Sequence, residues 1–208
     1  GANEIIPENF NSAEALYVAY GSNLNISQMK YRCPGAKLYG TGEISGYELQ
    51  FKGQPHGAFA TIAPKEGASV PVAVWEISQK NEQALDRYEG YPSHYFKQDV
   101  PVQLDGEEVS AMVYIMNLKV GFGLPSLYYY QTVLEGYHDC GLDTAALEEA
   151  VKDSAQKFYR EYGGRSQQQT LFDYDDCDED YSEEELEGAD EPEMDETDPF
   201  YFSEGMHL

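Results

Sequence analysis

Basic residues are scarce in this chain of 208 residues: 13 Lys and Arg stand against 38 Asp and Glu. A phosphate backbone is held by clustered Lys and Arg, so that shortage excludes nucleic acid as a partner. Cysteine is sparser still. Cys33, Cys140 and Cys177 are odd in number and share no metal-ligand spacing. They supply neither a disulfide framework nor a zinc site, and free thiols in a reducing compartment are the expectation. No apolar run approaches the ~18 residues that span a bilayer, so no membrane role is expected. Residues 1–7 lack the basic and apolar stretches of a secretory leader, which makes the cytoplasm the expected location. Gly-rich phosphate loops, Gly-x-Ser-x-Gly elbows, His-x-x-x-His and Cys-x-x-Cys pairs are all missing.

Tyrosine, by contrast, is abundant: 18 Tyr and 9 Phe provide ample core material. Acid is abundant too, but unevenly placed. Seventeen acidic residues and no Lys or Arg fall in 166–208, leaving a net charge of −8 on the first 165 residues. That is an ordinary balance for a soluble domain. The chain therefore reads as a lead-in (1–15), one domain (16–165) and an acidic tail (166–208) with the composition of a flexible, solvated segment. Aromatic residues such as Phe172, Tyr174 and Tyr201 give that tail docking points for its own domain or for a protein partner. Asp176, Asp178, Asp180, Ser182, Glu184 and Glu187 have the spacing of calcium-loop ligands, but Tyr181 stands where that loop turns on Gly. A solvated appendage is the preferred reading.

Within the domain, residues 16–20 form a buried-strand pattern that ends abruptly at Gly21. Asn25 caps an expected helix over 26–32. Strand patterns fill 36–77, with Tyr47, Leu49 and Phe51 alternating with polar residues and more continuous apolar runs at 58–62 and 70–77. Ser78 caps a helix to about Tyr88, stopped by Gly90 and Pro92. Strands at about 95–104 and 109–118 are joined by the turn signal Asp105-Gly106. Ser126 and Asp143 then cap two helices, the second presenting Leu147, Val151, Ser154, Phe158 and Tyr162 on one face and stopping at Gly163-Gly164. Regular βαβ alternation is lacking, which points to an α+β fold: a mixed sheet curled into a small barrel with flanking helices.

Three segments carry residues capable of chemistry. His138-Asp139-Cys140 reads as a helix end rather than a nucleophile with its base, because neighbours on a helix point apart. In Tyr20-Gly21-Ser22-Asn23-Leu24, a strand runs into a loop before a helix. Such a loop can aim backbone N–H groups at a carboxylate or oxyanion, with no cationic side chain of its own. Glu89 stands at a helix C-terminus, where the dipole does not favour it, among Tyr88, Tyr91, Tyr95 and Phe96. An apolar setting of that kind suits a carboxyl group to proton transfer. Taken alone, each of these last two segments is more often a plain turn.

Together they resemble the γ-glutamylcyclotransferases. Tyr20-Gly21-Ser22-Asn23-Leu24 is similar to the family's opening signature. His56-Gly57-Ala58-Phe59-Ala60-Thr61-Ile62 resembles its His-x-Gly-x-Ala-Thr-Ile segment, with Ala58 in place of the Gly. The strand around Trp75, the segment Leu85-Asp86-x-x-Glu89-Gly90 and Pro125-Ser126-x-x-Tyr129 follow in the family's order. Five motifs in order are specific where one is not. The resemblance implies cyclisation of a γ-glutamyl amino acid or peptide to 5-oxoproline, with no metal or organic cofactor. Glu89 would be the proton carrier. Tyr20, Gly21, Ser22, Asn23, Leu24, Tyr95 and Tyr129 would hold the substrate. Rival readings are a γ-glutamylamine, glutathione-specific or other γ-glutamyl-compound cyclotransferase and a non-catalytic ligand-binding module on the same fold.

Overall fold

The apolar run that opens the domain forms β1 (Ala15–Ala19), with Tyr17, Val18 and Ala19 buried. These coordinates are a computed structural model that describes residues 14–117 and 119–169. Residues 1–13 of the lead-in and 170–208 of the acidic tail, with its calcium-loop positions, lie outside the described residues. After β1 come a 3₁₀ turn (Ser22–Leu24) and the short helix α1 (Ile26–Arg32), whose cap Asn25 accepts from the Gln28 N–H at 3.2 Å.

Two long strands follow, β2 (Lys37–Gln54) and β3 (Gly57–Ile77), paired antiparallel from Lys37↔Glu76 to Gln54↔Gly57. The sequence suggests separate strands at 58–62 and 70–77 because polar residues interrupt them. In the fold the interruption is an excursion of one long strand: pairing jumps from Ser45↔Ser69 to Tyr47↔Pro64, and residues 64–67 project into solvent. α2 (Gln79–Glu89) opens on a capping box in which Ser78 and Asn81 bond reciprocally at 3.1 Å. The hairpin of β4 (Tyr95–Leu104) and β5 (Glu107–Met116) turns at the expected Asp105-Gly106.

The strands form a closed barrel in the order β1-β3-β2-β4-β5. Parallel pairing of β1 with β5, at Tyr17↔Met112 and Val18↔Val113, closes it and leaves no free sheet edge. Alternate strand residues such as Ile44, Phe51, Ile62, Val72, Val102 and Val113 fill the interior. This is the mixed barrel that the pattern implies.

Two helices finish the described chain. α3 (Leu127–Asp139) starts where Ser126 accepts from the Tyr129 N–H at 3.2 Å. α4 (Ala145–Gln169) follows Asp143, which accepts from the Ala145 N–H at 2.9 Å. Leu147, Ala150, Ser154 and Phe158 of α4 are buried, and the Ser154 hydroxyl accepts from the Phe51 N–H at 3.0 Å. Tyr162, expected on this face, is exposed. The helix also runs through Gly163-Gly164 instead of stopping there. Glycine weakens a helix by roughly 1 kcal/mol relative to alanine but keeps its hydrogen-bonding N–H, so it does not compel an end. No helix of the described residues is long and apolar enough to cross a membrane.

Candidate active site

A cavity of about 80 Å³ opens where the end of β1, the 3₁₀ turn, the start of β3, the end of α2 and the start of α3 meet. It has room for several water-sized groups, which suits a small metabolite and not a polymer. Tyr20, Gly21, Ser22, Asn23, Glu89, Tyr95 and Tyr129 all line it. Residues up to 109 positions apart in the chain are thus brought to one place. Leu24 is not among them. Its side chain is fully buried in the core, and its N–H is spent on the Gly21 carbonyl at 3.0 Å. The N–H groups of Ser22 and Asn23 precede that first internal bond of the turn and are not consumed by it.

Gly21 is required by crowding rather than by backbone freedom, since its φ is −118°. A Cβ there would lie 3.1 Å from the Tyr129 hydroxyl and 3.3 Å from the Ala60 Cβ. Asn23 is fixed at both ends of its amide: Nδ2 donates to the Tyr17 hydroxyl at 2.9 Å, and Oδ1 accepts from Arg32. Arg32 also donates to Ser22 Oγ at 3.2 Å and to the Tyr88 hydroxyl at 2.7 Å, with its guanidinium carbon 3.6 Å from the centre of the Tyr88 ring. The loop therefore does have a cation behind it, contrary to the expectation of a purely backbone cradle. Helix side chains lean toward the N-terminus, so the long Arg32 side chain lies back along α1 to the loop that precedes it. That lean was the available signal, at a position nine residues beyond Asn23.

Glu89 is the last residue of α2. Gly90 adopts the left-handed conformation (φ 62°), its N–H and that of Tyr91 return to the Arg87 and Asp86 carbonyls, and the chain leaves the helix axis. This reversal delivers the Glu89 side chain to the cavity. Burial among aromatic rings pushes its carboxyl group up to about 7, against an opposing pull from the Arg32 charge. No hydrogen bond to Glu89 is made among the described residues, and it is the sole carboxylate in the cavity wall.

Tyrosine is the commonest residue type in that wall, and the tyrosines divide by what their protons do. The Tyr20 hydroxyl donates to the Tyr114 carbonyl at 2.6 Å, and the Tyr95 hydroxyl donates to the Ala60 carbonyl at 3.1 Å. The Tyr114 hydroxyl donates to Asp86, which Lys97 neutralises at 2.7 Å. Tyr17 and Tyr129, by contrast, accept from Asn23 Nδ2 and the Ala60 N–H, and their own protons have no acceptor among the described residues. Burial raises both far enough to keep them protonated donors at neutral pH. Tyr17 and Tyr114 were not apparent as site residues, because an aromatic in an apolar strand reads as core.

The end of α3 is different. The Asp139 carboxylate accepts from the Ile26 N–H at 3.0 Å, and the Cys140 thiol donates to the Leu24 carbonyl at 3.3 Å. Burial raises that thiol to about 11, leaving little thiolate. His138-Asp139-Cys140 is a structural terminus, as its adjacency suggests.

Comparison with known proteins agrees with the geometry. Residues 17–131 match the family described as gamma-glutamyl cyclotransferase, AIG2-like. The chain is 31% identical to the gamma-glutamylcyclotransferase of Bos taurus and 30% identical to that of Homo sapiens, in each case over 61% of this chain and 72% of the relative. A solved structure described as a gamma-glutamyl cyclotransferase superposes with a TM-score of 0.61 at 27% identity, covering 66% of this chain and 86% of that one. The match spans β1, the loop, the Glu89 turn and the start of α3, and the chain belongs to the gamma-glutamyl cyclotransferase, AIG2-like family.

Proposed function

We propose that the protein cyclises a γ-glutamyl amino acid or peptide to 5-oxoproline, with Glu89 as the proton carrier. The observation that carries this reading is a single carboxyl group in the cavity wall, raised to about 7 and without a hydrogen-bond partner among the described residues. A group titrating near the working pH can accept a proton and return it in one catalytic cycle.

Nucleophile and electrophile belong to the same substrate molecule. The loop N–H groups of Ser22 and Asn23 hold its α-carboxylate, and the Tyr17 and Tyr129 hydroxyls donate to the oxygen of its γ-carbonyl. Ionised Glu89 takes a proton from the α-ammonium, and the freed amine attacks the γ-carbonyl carbon. A tetrahedral oxyanion forms and collapses to the lactam as the bond to the leaving nitrogen breaks. Overall the α-nitrogen loses two protons and the leaving nitrogen gains two. Glu89 carries one across, and solvent balances the other. Confining both reacting ends in one small cavity supplies orientation that is worth on the order of 7 kcal/mol or more in favourable intramolecular reactions.

The test is 5-oxoproline release by the Glu89→Gln variant. Turnover is expected to fall by roughly 10²–10⁴-fold with the fold intact, the range that general acid–base groups contribute. Retained turnover would remove Glu89 from the mechanism. A panel of γ-glutamyl amino acids, γ-glutamyl-lysine and glutathione assayed in the same way identifies the leaving group. Free thiols at Cys33 and Cys140 suit a reducing compartment, and the proposal places the enzyme in the cytoplasm with γ-glutamyl metabolites as its substrates.

A further inference from the structure

We infer that Arg32, which does not line the cavity, is a positioning residue for this reaction, tying the substrate loop to the end of α2 and setting the field in which both anions of the site work. The inference rests on the assignment of Glu89 made above. Its three hydrogen-bond partners come from the two halves of the site: Ser22 and Asn23 from the loop, and Tyr88 from the helix position next to Glu89. One planar guanidinium therefore sets the distance between the group that holds the substrate and the group that moves its proton. A rigid fork with several donors can do this, whereas a lysine ammonium on a flexible stem cannot.

The charge is as informative as the bonds. Arg32 is half-buried, and all three of its partners are neutral; it makes no salt bridge among the described residues. A guanidinium kept from solvent is ordinarily paired with a carboxylate. Here the nearby anions are the carboxylate of Glu89 and, in the complex, the α-carboxylate of the substrate on the other side of the loop. The groups that face Glu89 from other elements are Tyr17 and Tyr20 at the end of β1, His94 and Tyr95 at the start of β4, Tyr114 of β5 and Tyr129 of α3. Burial holds these tyrosines neutral through the working range. Arg32 is thus the fixed charge of the set, and it opposes the burial that raises Glu89.

The experiment measures kcat and KM against pH for the full chain and its Arg32→Lys and Arg32→Met variants. The substrate is the panel member that the wild type turns over best. Arg32→Met is expected to raise KM about tenfold and to move the acid limb of kcat/KM upward by roughly 0.5–1 pH unit, because an opposite charge beside the carboxylate is lost. Arg32→Lys is expected to keep the limb near its wild-type position while losing kcat, since charge survives and the fork does not. A His94→Asn variant that leaves the limb in place assigns it to Glu89. An unmoved limb in Arg32→Met, or identical profiles for Lys and Met, would overturn the inference. If Arg32→Met does not fold, Tyr88→Phe replaces it: one of the three bonds goes and the charge stays, so kcat should drop with the limb unmoved, and unchanged kcat counts against the proposal. These outcomes are separate from that of Glu89→Gln, whose retained activity would instead sink the assignment on which the inference rests.

Discussion

Two helices of this fold end on residues with chemical potential, and the two ends are used in opposite ways. α3 ends on His138, Asp139 and Cys140, residue types that nucleophilic enzymes employ. Two of the three are spent, Asp139 on the Ile26 N–H and Cys140 on the Leu24 carbonyl, and His138 is turned to solvent. α2 ends on a lone Glu89 whose oxygens have no hydrogen-bond partner among the described residues and face a cavity. Chemical availability follows from what the fold leaves unpaired, and residue type alone does not predict it. The α3 terminus anchors the loop, and under the proposed function the α2 terminus works on what the loop holds.

The comparison can be tested hardest at Glu89 itself. The rate loss expected for Glu89→Gln, set out above, is the largest effect, and it should come with a gain in stability. An unfolded-chain glutamate titrates at about 4.3, whereas folded Glu89 titrates at about 7. Between those values the native state holds the extra proton, so its stability falls as pH rises through that window and stays low above it. Denaturant unfolding at pH 8 should therefore find Glu89→Gln more stable than wild type by up to ~3 kcal/mol, with little difference at pH 4. A variant that is less stable at pH 8 would contradict the buried, unpaired carboxylate.

Effects at the other terminus should be smaller and opposite in kind. Gly136 of α3 lies where a Cβ would come within 2.6 Å of both the Leu24 Cβ and the Asn25 nitrogen. Gly136→Ala should cost about 1–3 kcal/mol of stability, as overpacking does, and should raise KM by displacing the loop. Equal KM values in the two proteins would mean that the helix supports the loop without setting its position. Asp139→Ala removes one hydrogen bond near the surface and should cost about 1 kcal/mol or less, read as a small drop in melting temperature with kcat unchanged. A rate loss there comparable to that of Glu89→Gln would abolish the distinction between the two termini.

Much of the scaffold was legible because it is written locally. Ser78, Asn25 and Ser126 cap the helices they appear to cap, and Asp105-Gly106 turns the hairpin it signals. Loop and glutamate could be picked out, but only their ordered neighbours raised them above ordinary turns. What stayed hidden is set by long-range contact. Tyr17 and Tyr114 meet edge to face at 5.8 Å from strands that pair only on barrel closure, and nothing in either segment announces that meeting. Arg32 read only as the last residue of a short helix, and it is folding that lays its side chain against the loop. Continuous pairing of β2 with β3 was obscured by the polar excursion at 64–67, which interrupts the hydrophobic pattern without interrupting the strand.

The closure of the barrel has one more consequence. β1 meets β5 at only Tyr17↔Met112 and Val18↔Val113, as short a seam as that of β2 with β4, whereas β2 with β3 and β4 with β5 pair at length. Tyr17 belongs to that seam and to the cavity wall at once. A molecule lodged against its hydroxyl contributes its own binding free energy to keeping the cylinder shut. Under the proposed function the substrate also acts as a clasp across one of the two short joins of the barrel.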